Sequence, residues 1–450
     1  MTHVMFVNPP SPFLVSDRGA ASLGILYIAG ECLARGITAN VWDLTGDNDV
    51  ADYFSARIYD RNDWFHYMIG HMIEEMGNSV NGGISLFAIT ATSAQYQSAI
   101  DFKNIIKTVR SSMPVAIGGS HVSTLPDLAI ADGFDMVVTG EADIDFVTHL
   151  GKYHIESGKP FILNCKAPTD LDSLSFPARQ LVDLRSYCAN LTVGEGLSTT
   201  VHMSRGCPFS CNYCVRTLGN AARILRQRSA ANVLNELVSL RDEYGISRFV
   251  ATDDIWGIKK SWVEDFCEIM PGTQFAFRVN CRANTLHFDL LPRMKSAGID
   301  VISFGFESGD ERVLSAISKN SVEKNSLAIK SCHDAGINVK AYMIFGFSED
   351  DEASVEATQK FIETNRPDSA QIAWLIPLPG TPIHKSAIDG GWRSDYSSLY
   401  HNGKDHRGGM SRLPWHTDKT AGLYEDLVRW VEDFYGQPQT EIQCPVADRG

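Results

Sequence analysis

Ser204-Arg-Gly-Cys-Pro-Phe-Ser-Cys-Asn-Tyr-Cys-Val-Arg216 places Cys207, Cys211 and Cys214 in a Cys-x3-Cys-x2-Cys loop, and a β-type run, Ser198-Thr-Thr-Val-His-Met203, feeds into it. Gly206, Pro208 and Asn212 keep the loop from becoming a regular helix. Three thiols on an irregular backbone can converge on one point. The soft, readily ionised thiolate is the usual ligand of iron–sulfur clusters and of zinc. A structural zinc ion takes four protein ligands, normally as two separated pairs. No second Cys-x2-Cys pair exists here. Three cysteines on a four-iron cluster leave one iron open to a substrate or cofactor. The plainer alternative, three buried cysteines without metal, sits poorly with this spacing in a Gly/Pro loop.

Downstream, strand and helix patterns alternate. Strands are expected at 248–252, 276–280, 301–306, 339–344 and 369–376, and helices at 230–244, 262–270, 290–297, 322–335 and 354–365. With 199–203 these make six β/α units, a partial, open barrel of parallel strands. Chemistry in parallel barrels sits at strand carboxyl ends. The cysteine loop, Asp253-Asp254, Arg282, Glu307-Ser308 and Gly346 all fall at such ends.

Upstream, residues 1–150 read as a doubly wound α/β domain. Strands are expected at 4–7, 39–44, 84–89, 114–117 and 136–139, and helices at 22–35, 95–111 and 125–131. The aromatic-rich stretch 51–76 reads as a helical insertion. Ligands of such sheets bind beyond the strand carboxyl ends, here Asn8–Pro10, Thr90–Ser93, Gly118–His121 and Gly140–Glu141. No Gly-x-Gly-x-x-Gly occurs, so a dinucleotide site is not supported.

At 450 residues the chain is long enough for two or three domains, and 44% hydrophobic with 21% charged residues is an ordinary globular balance. The net charge of -14 argues against a general nucleic-acid surface. No run approaches a membrane-spanning length. The N-terminus lacks a basic signal region. A cytoplasmic protein with reduced thiols is expected. Cys32, Cys165, Cys188, Cys267, Cys281, Cys332 and Cys444 are scattered and read as core residues.

The cysteine loop, with the aromatic Tyr213 before its last cysteine, resembles the signature of the radical S-adenosylmethionine (SAM) superfamily. Gly305-Phe-Glu-Ser-Gly309 resembles that family's strand-end motif. The resemblance implies a [4Fe–4S] cluster on Cys207, Cys211 and Cys214 whose open iron chelates SAM, and a 5′-deoxyadenosyl radical formed on one-electron cleavage. It implies that Glu307 contacts SAM. Charge and resemblance together nominate Tyr213, Asp253, Asp254, Arg282, Ser308 and Gly346 as further SAM-binding residues: carboxylates accept from the ammonium or ribose, and Arg282 pairs with the SAM carboxylate. Each acid could equally be a strand-end cap. Where the family has Gly-x-Pro-Gly-Glu, this chain has Phe347-Ser348 after Gly346, so only backbone contacts carry over there.

Residues 1–150 resemble the Rossmann-like cobalamin (B12)-binding domain that precedes many radical SAM cores. The matching stretches are Asn8-Pro-Pro10, Ile89-Thr-Ala-Thr-Ser-Ala-Gln-Tyr96, Gly118-Gly-Ser-His121 and Val138-Thr-Gly-Glu141. Pro10, Thr90, Thr92, Ser93, Gln95, Gly118, Gly119, His121, Gly140 and Glu141 are thereby implied to face cobalamin. Asp-x-His-x-x-Gly is absent, which implies a cobalt without a protein histidine below it. His121 in the Gly-Gly loop has a solvated loop histidine as its plainer reading. The resemblance implies a methyltransferase acting on an unactivated carbon of a small molecule or natural-product intermediate through the adenosyl radical and methylcobalamin. A cyclase, rearrangement or oxidation enzyme on the same two domains is the alternative. An external one-electron reductant of flavodoxin or ferredoxin type is implied, with no nucleic acid and no membrane. Residues 151–197 read as a linker and 198–385 as the radical core. In the mainly helical segment 386–450, aromatic residues and an amphipathic helix at 420–435 fit a cap over the open barrel, with packing on the core as the alternative.

Overall fold

The computed structural model describes residues 2–10, 19–45, 70, 83–153, 155–187, 197–215, 223–393 and 412–436. These form two compact units, the first running to Tyr187 and the second comprising the described residues from 197 onward. The helix expected at 51–76 lies, apart from Gly70, outside the described residues.

The first unit is built on β1 (His3–Asn8), β2 (Thr38–Asp43), β3 (Leu86–Thr90), β4 (Val115–Gly118), β5 (Met136–Gly140) and β6 (Phe161–Cys165). They form a parallel sheet in the order β2-β1-β3-β4-β5-β6. Helices cover both faces, as the near-continuous apolar strands require. Phe102 and Ile105 of helix Tyr96–Val109 pack with Phe87, Ile89 and Ile117 on one face. Ile25 and Ala29 of helix Leu23–Ala34 pack with Phe6, Leu86 and Met136 on the other. The strand order reverses between β1 and β3, which opens a crevice at their carboxyl ends.

Two differences from the sequence reading have local causes. The apolar run at 161–163, read as linker, is edge strand β6, and the unit continues to Tyr187, whose hydroxyl donates to Asp43 Oδ2 at 2.7 Å. The helix expected at 125–131 is present as Pro126–Ala131, but a further short helix, Ser120–Thr124, precedes it, and the two stay separate because Pro126 lacks the N–H to continue a helix through it.

The second unit carries β7 (Ser198–Val201), β8 (Ser204–Arg205), β9 (Arg226–Gln227), β10 (Arg248–Ala251), β11 (Ala276–Cys281), β12 (Ile299–Glu307), β13 (Asn338–Phe345) and β14 (Ser369–Trp374). Six of them form a parallel sheet in the order β14-β13-β12-β11-β10-β7, so each β/α unit adds its strand beside the last. This is the expected open half-barrel. One face meets helices: Phe277 of β11 packs on Phe266 at 5.3 Å, and Phe306 of β12 on Phe361 at 5.6 Å. Along β11, β13 and β14 buried residues alternate with half-buried ones, among them Arg278, Asn280, Lys340, Tyr342 and Gln371. Such alternation marks a sheet with helices on one side only. The two-residue antiparallel pair β8–β9 was not apparent from the sequence.

Helix Asp418–Tyr435 does not cap the barrel. Tyr424 packs on Trp374 of β14 at 5.1 Å and is 1% exposed, on the helix-covered side of the sheet. Of the scattered cysteines, Cys32, Cys267, Cys281 and Cys332 are buried and Cys165 half-buried. Burial pushes Cys32 up to about 12, so it is an inert core thiol, as the sequence reading expected. Cys188 and Cys444 lie outside the described residues. Among the described residues no helix is long and apolar enough to cross a membrane.

Candidate active site

The cysteine loop leaves β7 and is fastened before its first thiol. Asp253, fully buried after β10, accepts from the Met203 N–H at 2.8 Å and from Ser204 Oγ at 2.6 Å. Asp254 accepts from the Gly206 N–H at 3.1 Å while remaining exposed. Gly206 has φ 93, a left-handed turn that glycine adopts freely. Burial pushes Cys207 up. Burial, then the neighbouring Cys211 and Cys207 thiols, pushes Cys214 up to about 11. The three thiols are thus close enough to act on one another. Among the described residues no three His, Cys, Asp or Glu side chains close on a single-ion centre. Three soft sulfur donors on one loop are the donor chemistry that an iron–sulfur cluster takes.

Tyr213 ties the loop to the end of β12. Its hydroxyl donates to Glu307 Oε1 at 2.9 Å, and its ring meets Phe347 edge-on at 5.5 Å. Lys319 Nζ pairs with the same carboxylate oxygen at 2.9 Å and donates to the Gly305 carbonyl at 3.0 Å. Glu307 sits at a bulge in the β12–β13 pairing with φ 67. The glycines of this motif have steric reasons. A Cβ on Gly305 would lie 2.3 Å from Glu307 Oε1, and one on Gly309 would lie 2.5 Å from the Ala357 carbonyl.

Arg282 faces the loop rather than standing free for a ligand carboxylate. Its Nη1 lies 3.6 Å from Cys211 Sγ, its Nη2 donates to the Ser318 carbonyl at 2.9 Å, and its Nε donates to Asn320 at 3.2 Å. The guanidinium also covers the Phe209 ring at 4.2 Å. Three further assignments change. The carboxylate of Asp253 is used by the loop itself. The Ser308 hydroxyl accepts from the Asp310 N–H at 3.1 Å and serves the turn. The Gly346 N–H donates to Asp350 at 2.8 Å, while its carbonyl accepts from Trp415 Nε1 at 3.0 Å and bonds His416 Nε2 at 2.6 Å. Its backbone is therefore already engaged. Lys319, Trp415 and His416 were missed, since nothing local in the sequence links them to Glu307 or Gly346, and Phe209, inside the loop, was given no role.

In the first unit, Gln95 joins two strand ends. It donates to the Pro9 carbonyl at 2.7 Å and to Asn8 at 3.0 Å, and accepts from the Thr92 hydroxyl at 3.0 Å. Gly119 has φ 108, and a Cβ there would lie 2.5 Å from the Ala91 carbonyl. At Gly140 a Cβ would lie 2.3 Å from the Cys165 carbonyl. His121 is not a solvated loop residue. It is 1% exposed, bonds Ser93 Oγ through Nδ1 at 3.0 Å and lies against Tyr96 at 4.1 Å. Thr90, Gly118 and Gly140 end β3, β4 and β5, and Pro10 and Glu141 are buried beside them.

Residues 201–362 match the model of the radical SAM superfamily. An uncharacterised methyltransferase of Pyrococcus horikoshii is 29% identical over 329 residues, 67% of this chain and 69% of the relative. Cytidylyl-2-hydroxyethylphosphonate methyltransferase of Streptomyces wedmorensis is 24% identical over 484 residues, 93% of this chain and 88% of the relative. The radical S-adenosylmethionine methyltransferase TsrM from Kitasatospora setae, solved with cobalamin and a [4Fe-4S] cluster bound, aligns with a TM-score of 0.63 at 15% identity. That alignment covers 95% of this chain and 85% of that one, and it speaks to fold.

Proposed function

For a chain that belongs to the radical SAM superfamily, we propose cobalamin-dependent transfer of a methyl group to an unactivated carbon of a small molecule. The observation that carries the radical part is one hydrogen-bonded unit: Tyr213, inside the cysteine loop, donates to Glu307 at the end of β12. Cysteines 207, 211 and 214 would hold the cluster. When bound, the cluster supplies the electron that opens SAM to a carbon radical, and the corrin supplies the methyl group.

Glu307 receives the ammonium of SAM. Lys319 and Tyr213 hold it on one oxygen and leave the other to accept. Arg282 lies against the Cys211 sulfur and fixes that part of the loop. Asp254, which accepts from the Gly206 N–H, is exposed at the mouth of the loop and is the second acid assigned to SAM. In the first unit, Gly119 and Gly140 let neighbouring strand ends pack closely, and with Pro10, Thr90, Thr92, Ser93, Gln95, Gly118 and Glu141 they make up the strand-end rim for the corrin. His121, held by Ser93, orders that rim. An external one-electron reductant of flavodoxin or ferredoxin type feeds the cluster. The many unpaired thiols suit a reducing cytoplasm.

The test is anaerobic purification from cobalamin-replete cells, with iron, sulfide and cobalamin measured per chain and SAM cleavage assayed on the same sample. About four irons per chain, bound cobalamin and reductant-dependent cleavage are expected. Iron without cobalamin, even after adding cobalamin back, would remove methyl transfer and leave a radical SAM core beside a scaffold domain.

A further inference from the structure

The helix-free face of the half-barrel carries an unusual set of side chains. Arg278 of β11 and Lys340 of β13 meet at Tyr342: Arg278 Nη2 donates to the Tyr342 hydroxyl at 3.1 Å, and Lys340 Nζ lies 5.0 Å over the Tyr342 ring. Burial lowers the Lys340 pKa, with Tyr342 acting against that shift and the Arg278 charge adding to it. Among the described residues no carboxylate forms an ion pair with Lys340. A second observation is independent of charge. In register, Ser303 of β12 stands between Asn280 and Lys340, so its side chain shares their face. Ser303 is 1% exposed, and its hydroxyl has no hydrogen-bond partner among the described residues.

We propose that Arg278, Lys340, Tyr342 and Ser303 form an oxyanion anchor for the substrate, which carries a phosphoryl or carboxylate group. This rests on the radical SAM reading for what happens at the other end of the molecule. Tyr342 pairs with Gly305 and Lys340 with Ser303, two and four residues before Glu307. At about 3.3 Å per residue the anchor lies about 7–13 Å below the SAM-facing strand end. A substrate held by an anionic tail would therefore present a carbon several bonds away to the radical. Arg278 supplies a planar fork, Lys340 a point charge, and Ser303 and Tyr342 hydroxyl donors, all suited to oxygen acceptors.

The test is titration of the reconstituted wild-type protein with inorganic phosphate, methylphosphonate and acetate, followed by ligand-observed NMR. Methanol serves as the neutral control. Saturable binding of one or more of the anions, and none of methanol, is expected. Lys340→Gln and Arg278→Gln should each weaken it at least tenfold, and Lys340→Arg should restore it to within about threefold of wild type. Iron content measured on each variant reports an intact core, and Ser303→Ala provides a mild substitution should either charge variant fail to take up iron. No saturable anion binding by wild type, or unchanged affinity in the charge variants, would overturn the anchor. Anion binding by a wild-type preparation that cannot cleave SAM keeps the anchor and overturns only the radical reading.

Discussion

Glu307 holds a left-handed backbone at φ 67, a conformation that costs a non-glycine residue about 1–3 kcal/mol and persists where surroundings enforce it. Here the enforcement comes from Tyr213 and Lys319, both on Oε1, and from the space left by Gly305. Gly305→Ala puts a Cβ where the carboxylate lies, so Glu307 must swing away from both donors. The SAM dissociation constant is expected to rise about tenfold or more, equivalent to about 1.4 kcal/mol, with iron content unchanged. Equilibrium binding of SAM to reconstituted protein checks this, and unaltered affinity would remove Glu307 from the site. Asp253 gives a pH signature. Burial pushes its pKa from 3.8 up to about 7 despite donors from Ser204 and Met203. The fold thus binds this proton more tightly than the unfolded chain does. The stability it contributes is complete below its unfolded pKa and is lost as the pH rises through 7. The melting temperature of the metal-free wild type should exceed that of Asp253→Asn by a margin that narrows from about pH 5 to about pH 8. A constant margin would show that Asp253 does not titrate between these values.

Among the elements, the cysteine loop owes its position to short structures on either side. Residues Ser204–Arg205 pair with Arg226–Gln227, closing the loop at its base. Arg228, just beyond, donates to the His202 carbonyl at 2.9 Å and pairs with Glu236 of helix Ala230–Tyr244, both side chains being about 4% exposed or less. Trp262 of the next helix donates to the Arg228 carbonyl at 2.6 Å. Removing one partner of a buried pair leaves an uncompensated charge, so Glu236→Ala should lower the unfolding free energy by about 3–5 kcal/mol. Denaturant unfolding of the metal-free protein measures it. A loss below about 1 kcal/mol would mean that the pair is solvated like a surface bridge.

At the level of the molecule, the thiols and the strand ends proposed to face the corrin belong to different compact units. Replacing Cys207, Cys211 and Cys214 together by alanine should remove iron and SAM cleavage while leaving bound cobalamin within about twofold of wild type, since each unit keeps its own core. Absorbance and metal analysis on one sample read both. Parallel loss of cobalamin would mean that the first unit needs the cluster to fold.

Local spacing alone establishes a good deal here. The Cys-x3-Cys-x2-Cys loop, the Gly305–Gly309 motif and the alternation of strands and helices are short-range patterns, and they place Glu307, Arg282 and Asp253-Asp254 at strand carboxyl ends before any packing is known. What each side chain does there depends on neighbours brought in by strand register from segments tens of residues away. Register gives Asp253 to the loop backbone and Arg282 to the Cys211 sulfur, while the turn after helix Glu311–Ala316 brings Lys319 back to Glu307. It also aligns Asn280, Ser303 and Lys340 across three strands. Edge strand β6 was hidden because an edge needs only a short apolar run, and the choice between capping and core packing for the C-terminal helix stayed open because an amphipathic pattern shows that one face is buried without saying against what. Lateral pairing, which no local pattern encodes, separates ligand-facing acids from those that hold the loop.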